Sequence, residues 1–231
     1  MKKPSGGLVP VGCPIVSELE HYERLIDGGN DPAEDSPVMR SYMARWDGSA
    51  FYEALGDLSD KLVLEVGVGT GRVAREVLRR GCRRFTGLDL SPKTVARARS
   101  NLADHPNVEL VVGDIGDFVR PESFDTAYSV LTWMHIEDKA KALGNVVASL
   151  RPGGRVVLSI DHAGQWLDYG NRKVRLYPAS PEQYASWLEE LDCHVEPLIP
   201  LTDKWVDAQG GKPETYGRAI ATLIAANKKE S

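Results

Sequence analysis

Three glycines, one aspartate and two histidines are the groups of this chain whose types and spacing could do chemistry. Gly67, Gly69 and Gly71 alternate within KLVLEVGVGTGRVA, residues 61–74. Without Cβ atoms they let the backbone turn tightly and a ligand lie against it. Val73, Ala74, Val77 and Leu78 follow at helical spacing, so the turn opens a helix that points its free N–H groups at that ligand. Asp89 ends the next apolar segment, where a carboxylate accepts hydrogen bonds from both hydroxyls of a ribose. A nucleotide-like ligand is the expectation. His135, in TWMHIED, and His162 follow later segments. The near-neutral pKa of imidazole suits a base acting on a phenol, an acid or an amine.

The elements that must position these groups alternate along the chain. Leu62, Val63, Leu64 and Val66 form the nearly continuous apolar run of a strand covered on both faces. Further strands are expected at 84–88, 108–112 and 124–130, and a fifth runs out of LRPGGRVVLSID, residues 150–161. Between them lie helices. Ser91-Pro92 caps one that carries Val95, Ala98 and Leu102. Glu137 and Asp138 open another, where acidic residues suit the helix dipole. Ser180-Pro181-Glu182-Gln183 reads as a capping box for a helix with Tyr184, Trp187, Leu188 and Leu191 inward. Residues 195–200 and 216–226 fit two last strands, joined by a polar loop through Gly210-Gly211.

The glycine spacing separates two nucleotide folds from a third. A dinucleotide fingerprint needs a small residue where Arg72 stands, and a P-loop needs a Lys-Ser/Thr pair that is absent here. The pattern E-x-G-x-G-x-G from Glu65 to Gly71 resembles motif I of the class I S-adenosylmethionine (SAM) dependent methyltransferases. Phe124-Asp125 with its following strand resembles that family's motif IV, and LRPGG is among its more specific marks. The resemblance covers residues 61–161.

That resemblance implies a three-layer Rossmann-like α/β sandwich. Its seven-stranded, mostly parallel sheet would have an antiparallel last strand, in the order 3-2-1-4-5-7-6. It implies SAM as cofactor and S-adenosylhomocysteine (SAH) as product. Glu65, Gly67, Val68, Gly69, Gly71, Asp89, Leu90, Asp114, Ile115 and Val130 would line the cofactor site, with Asp114 facing the adenine amino group. His135 would lie near the methyl group as a candidate base. His162, Trp166, Tyr169 and Tyr177 are the expected walls of an acceptor pocket, because the aromatic stretch 161–180 leaves the fifth strand at its ligand-facing end. Trp133, after the fourth strand, is expected to wall either the acceptor or the adenine.

Residues 1–56 are expected to form an N-terminal helical cap and residues 57–231 the methyltransferase domain. In the cap, Ile15, Leu19, Tyr22 and Ile26 share one helix face, with Tyr22 reaching the ligand. Residues 27–37, rich in Gly, Asp and Pro, read as a hinge or loop. A second helical region spans 38–55 and carries Met39, Tyr42, Met43 and Trp46.

Composition sets the outer bounds. The chain has 231 residues and a formal net charge of −5, which argues against a protein built to hold polyanions. No apolar run approaches a membrane span, and Pro and Gly interrupt the N-terminus before a signal-peptide core. Cys13, Cys82 and Cys193 are scattered, so neither a disulfide framework nor a metal site is indicated, and a cytoplasmic setting is the simplest. The stretch Ser129-Val130-Leu131-Thr132 lacks the Asn/Asp-Pro-Pro-Tyr/Phe motif of enzymes that methylate adenine N6. The expected partner is therefore a small-molecule methyl acceptor rather than nucleic acid. A non-catalytic SAM-binding or partner-activating subunit and a nicotinamide-dependent oxidoreductase remain the alternatives. The sequence is silent on oligomeric state and on the acceptor atom.

Overall fold

A computed structural model describes residues 12–202 and 219–230. Its elements in chain order are β1 (Ile15–Val16), α1 (Glu18–Asp27), a 3₁₀ turn (Pro32–Glu34), α2 (Pro37–Asp47), α3 (Ser49–Leu55), β2 (Leu62–Val66), α4 (Arg72–Arg79), β3 (Arg84–Asp89), α5 (Pro92–Asn101), β4 (Val108–Val112), β5 (Phe124–Val130), a 3₁₀ turn (Trp133–His135), α6 (Lys139–Ser149), β6 (Leu150–Asp161), β7 (Trp166–Asp168), β8 (Lys173–Arg175), α7 (Pro181–Glu190), β9 (Cys193–Val195), β10 (Ile199–Thr202) and β11 (Ala219–Lys228).

The main sheet runs β10-β11-β6-β5-β2-β3-β4, with β9 also paired to β11. Strands β4, β3, β2, β5 and β6 are parallel neighbours, whereas β11 is antiparallel to β6. The expected order 3-2-1-4-5-7-6 is therefore present, with one difference. The sixth strand is two pieces, β9 and β10, each pairing with a different part of β11. Pro197 lies between them and has no N–H to give to a ladder.

Strand periodicity divides the core between the two faces of the sheet. Val63, Phe85, Tyr128 and Val157 face a cluster with Trp46, Phe51, Leu55, Val73 and Val77 of α2, α3 and α4. Their neighbours Leu64, Leu88, Ala127, Val156 and Leu158 face the opposite way, onto Leu143 and Val147 of α6 and Tyr184 and Leu188 of α7. Helix, sheet and helix make the three layers. The Pro152-Gly153-Gly154 segment sits within β6 as an irregularity, since Phe124 pairs with Leu150 but Thr126 pairs with Arg155.

Several expectations near the N-terminus are corrected. Ile15 is not on a helix. It lies in β1, which pairs with β8 in a second, three-stranded sheet β1-β8-β7, and Ser17 caps the helix behind it by accepting from the Glu20 N–H. The region 38–55 is two helices broken at Gly48. A Cβ there would lie 2.5 Å from the Ala44 carbonyl oxygen, so the chain bends where only glycine fits. Residues 27–37, expected as a hinge or loop, carry the 3₁₀ turn and a dense set of polar contacts. The loop expected through Gly210-Gly211 and the start of the last strand at Tyr216 lie outside the described residues.

Gly87 in the middle of β3 lets the sheet close under the glycine turn. A Cβ at that position would come within 2.8 Å of both Leu110 Cδ2 and Val68 Cγ2. Gly87→Val is expected to destabilise the protein by about 1–3 kcal/mol through overpacking. Urea unfolding checks this, and a midpoint equal to wild type would show that the layer yields freely.

Candidate active site

The sheet order reverses beside β2, where the chain returns through β5 on its other flank. Open α/β sheets bind ligands at such a point, beyond the C-terminal ends of the strands. A cavity of about 640 Å³ occupies it. Its walls come from the ends of β2 (Glu65, Val66), β3 (Leu88, Asp89), β4 (Gly113, Asp114, Ile115) and β5 (Val130, Leu131, Thr132), with Tyr22 and Pro32 contributed by the N-terminal segment.

The glycine turn is fixed from below. The Gly67 and Val68 N–H groups both donate to the Leu88 carbonyl, at 2.8 and 3.0 Å. The glycines then serve different ends. A Cβ on Gly67 would overlap the Thr132 side chain, and one on Gly71 would press on Leu102. Gly69 has φ +55° and nothing within 4 Å of its missing Cβ, so its bare side is open cavity space. Helix α4 starts at Gly71 with no side-chain cap, and Arg72 and Val73 of its first turn line the cavity. Gly71 itself does not.

Asp89 is held by two backbone donors. The Gly69 N–H reaches Oδ2 and the Ser91 N–H reaches Oδ1, both at 3.0 Å. Burial pushes its carboxyl above the usual range, and these two bonds oppose that shift. Each oxygen keeps a second lone pair for a ligand. Asp114 is exposed, and its Oδ1 accepts from the Gly116 N–H at 2.7 Å to form a local turn. Glu65 is buried and accepts from the Tyr128 hydroxyl at 2.9 Å. Burial raises its carboxyl well above the usual value, against that bond and the nearby Arg72. Arg72 in turn pairs with the buried Asp47 of α2. Val68, Leu90, Ile115 and Val130 complete the apolar lining.

Across the cavity, the Tyr22 hydroxyl and His135 Nε2 share a 2.8 Å hydrogen bond. Burial, His21 and Lys139 lower the His135 pKa to about 4, and burial foremost keeps Tyr22 protonated. His21, behind them, is fully buried; its Nδ1 accepts from Arg172 Nε at 3.0 Å. Burial and Arg172 bring its pKa to about 4 as well. Among the described residues, neither His21 Nε2 nor His135 Nδ1 has a hydrogen-bond partner.

The expected acceptor walls divide. Tyr177 lines the cavity. Trp133 does not: the 3₁₀ turn sends it into the core, edge-on to Tyr184 at 5.9 Å, while sending His135 to the cavity. His162 bonds to Thr222 Oγ1 at 2.9 Å, away from the site. Trp166 and Tyr169 stand exposed on the β7–β8 ribbon, where Tyr169 stacks edge-on against His21 rather than facing a ligand. The sequence reading missed Pro32, Thr70 and Thr132, because Thr70 fills a variable position of the glycine motif and the other two carry no motif. Among the described residues, no group of three or more His, Cys, Asp or Glu could hold a metal ion, and no helix is long and apolar enough to cross a membrane.

The two histidines make stability fall with acid. In the unfolded chain each takes a proton near pH 6.5, while in the fold each resists protonation down to about 4. Their contribution is complete above pH 6.5 and is lost as pH falls from 6.5 towards 4. Between pH 7.5 and 5.0 the unfolding free energy is expected to drop by on the order of 1–2 kcal/mol per histidine. Denaturant titrations at the two pH values check it. A variant with His21→Gln and His135→Gln should show a flatter dependence, and an unchanged slope would remove these residues as its source.

Residues 63–154 match the family model described as a methyltransferase domain. Malonyl-[acyl-carrier protein] O-methyltransferase 1 of Ilyobacter polytropus is 31% identical over 42% of this chain and 37% of its own length. An uncharacterized methyltransferase of Geobacillus kaustophilus is 30% identical over 61% of each. The chain thus spans between about a third and two thirds of the length of these curated relatives. A solved SAM-dependent methyltransferase from Mesorhizobium loti shares the fold, with a TM-score of 0.64 and 23% identity over 79% of this chain and 100% of that one. The matched domain spans the glycine turn, Asp89, Asp114 and the LRPGG segment, so residues 63–154 are a methyltransferase domain, within a Rossmann-like fold shared with a solved SAM-dependent methyltransferase.

Proposed function

We propose that this protein transfers a methyl group from SAM to a small-molecule acceptor in the cavity above β2 and β5. The observation that carries the reading is Asp89. Its two oxygens are oriented by backbone donors at the rim of a glycine turn whose one bare face, at Gly69, is open to the same cavity. The residues fit SAM. Asp89 would take the ribose hydroxyls, Gly69 and the uncapped start of α4 the amino-acid end, and Asp114 and Ile115 the adenine. When bound, SAM supplies a methyl group already activated by its positively charged sulfur.

The protein's own residues then have to orient an acceptor and exclude water. Positioning alone can supply roughly 7–11 kcal/mol, against about 3–5 kcal/mol for a general base. His135 is a weak base at neutral pH because burial holds it uncharged. Its bond to Tyr22 instead closes the cavity between α1 and the turn after β5. The cavity volume falls within the range of small-molecule sites, and Tyr22, His135 and Tyr177 give it an aromatic wall. These features support a small acceptor rather than a polymer. In this reading, residues 12–37 act as the cap over the cofactor.

Calorimetry with SAH tests the cofactor assignment. Hydrogen bonds to a charged group contribute about 1.5–3 kcal/mol each, so Asp89→Ala is expected to weaken binding roughly 100-fold or more while leaving the protein folded. Equal affinities would remove Asp89 from the site, and NAD binding without SAH binding would revive the oxidoreductase reading. SAH binding without turnover over a broad acceptor panel would favour a non-catalytic subunit.

With an acceptor in hand, Gly69→Val is expected to cost more turnover than His135→Ala. The valine fills cofactor space at a positive φ that a branched residue resists. Single-turnover rates decide between them. A loss beyond roughly 10³-fold for His135→Ala with unchanged SAM affinity would make His135 the catalytic base.

A further inference from the structure

Helix α5 presents Lys93, Arg97 and Asn101 four residues apart, one above another on a single face. All three reach the N-terminal segment or its partners. Lys93 Nζ donates to the Asp27 carboxylate at 2.7 and 2.9 Å. Arg97 Nη1 donates to Asp31 Oδ2 at 3.0 Å. Asn101 Nδ2 lies 3.1 and 3.2 Å from the two Asp31 oxygens and 2.9 Å from the Thr70 carbonyl. Thr70 is the residue between Gly69 and Gly71, and both it and Pro32 line the cavity.

The contact is built from both sides. The Ala33 N–H lies 3.1 Å from Thr70 Oγ1 and 3.3 Å from Asp31 Oδ1. From α4, Arg75 donates to the Ala33 carbonyl at 2.7 Å and to Glu34 at 2.6 Å. The Asp31 side chain is only 8% exposed. Burial pushes its carboxyl up, but hydrogen bonds from Thr70, Arg97, Asn101 and the Ala33 N–H outweigh that and hold it ionised. A buried carboxylate with this many donors is specified in position as well as charge. What it positions, through one amide, is the backbone of the glycine turn.

We propose that Asp31 and Asn101 are positioning residues for the cofactor. They clamp the glycine turn from the side of the N-terminal segment and thereby couple the docking of α1 to cofactor affinity. The inference rests on SAM being the ligand of this cavity. Neither residue need touch the ligand. Asn101 holds the Thr70 carbonyl, so Gly69 keeps the orientation that opens its bare face and directs its N–H at Asp89. Asp31 holds Asn101 and the 3₁₀ turn together. The segment that carries Tyr22 over the cavity and the turn that receives the cofactor thus share one carboxylate, and ordering either favours the other.

Binding of SAH to the full chain provides the test, measured by calorimetry well below the melting transition. Asn101→Ala and Asp31→Ala are each expected to weaken SAH binding about 10- to 100-fold, the scale of losing one or two charge-assisted bonds. The double variant should cost little more than the worse single one, because the two act through each other. Leu188→Ala, a core truncation on α7, serves as the control. It should lower the melting temperature at least as much and leave SAH affinity unchanged. Hydrogen exchange adds a readout that loss of stability alone would not give. SAH should protect residues 18–27 in the wild type and fail to do so in Asp31→Ala, even where SAH is saturating. If Asp31→Ala does not fold, Asn101→Ala alone carries the measurement. Wild-type affinity in Asn101→Ala, or an affinity loss in the control as large as in the clamp variants, would overturn the proposal. Absence of SAH binding by the wild type would instead overturn the cofactor reading beneath it.

Discussion

The carbonyl of Leu88 accepts from two successive backbone donors, the Gly67 and Val68 N–H groups. That shared acceptor forces the chain leaving β2 to fold back over the end of β3 before it can start α4. Much of the site follows from this constraint. It fixes the height of the turn above the sheet, brings the Gly69 N–H to the Asp89 carboxylate and leaves the first turn of α4 without a side-chain cap. The Val66 carbonyl beneath is satisfied from the other flank by the Ser129 hydroxyl at 2.7 Å, so β5 is tied to the same corner. A buried backbone group left unpaired costs about as much as a lost hydrogen bond. Here the donors and acceptors around the end of β2 are paired among the elements that make the site.

A second layer of order is polar and lies outside the sheet. The Arg72–Asp47 ion pair lies behind the turn, beside the buried Glu65, and the Asp31 cluster lies in front of it. Such groups are costly to bury, and their worth lies in specifying one arrangement rather than in net stability. The turn is therefore gripped on both sides by charges that have few other places to go. The histidine pair near Tyr22 works differently. Its members stay neutral, and each has one ring nitrogen without a hydrogen bond among the described residues, so that corner is closed by aromatic packing more than by polar pairing.

What the sequence discloses depends on how local the determining physics is. The strands of the core, the helix caps at Ser91 and Ser180 and the placement of Asp89 were legible because apolar runs, cap residues and glycine spacing act over a few positions. The order of the strands came instead from the family resemblance of the motifs. The break at Gly48 and the division of the sixth strand at Pro197 were less visible, although both residues are standard breakers, because the surrounding apolar pattern suggested continuity. Trp133 and His135 show the limit. Two residues apart in one 3₁₀ turn, they face the core and the cavity respectively, and no periodicity of strand or helix separates them. The stripe Lys93, Arg97 and Asn101 could be read off the sequence at its four-residue spacing. Its partners Asp27 and Asp31 could not, since they are more than sixty residues away along the chain and meet the stripe only once the N-terminal segment has folded across α5.

The split sixth strand has a consequence for the outer rim of the sheet. An unbroken border strand would offer a row of free N–H and C=O groups on which another chain could template a further strand. Here β9 and β10 are short, Pro197 interrupts them, Pro200 removes a donor within β10, and the pairing with β11 slips at Leu201–Thr202. The result is a blunted border next to the exposed Ile199. These interruptions thus guard against sheet-to-sheet growth in a protein whose central strands, buried on both faces, are among its most β-prone segments.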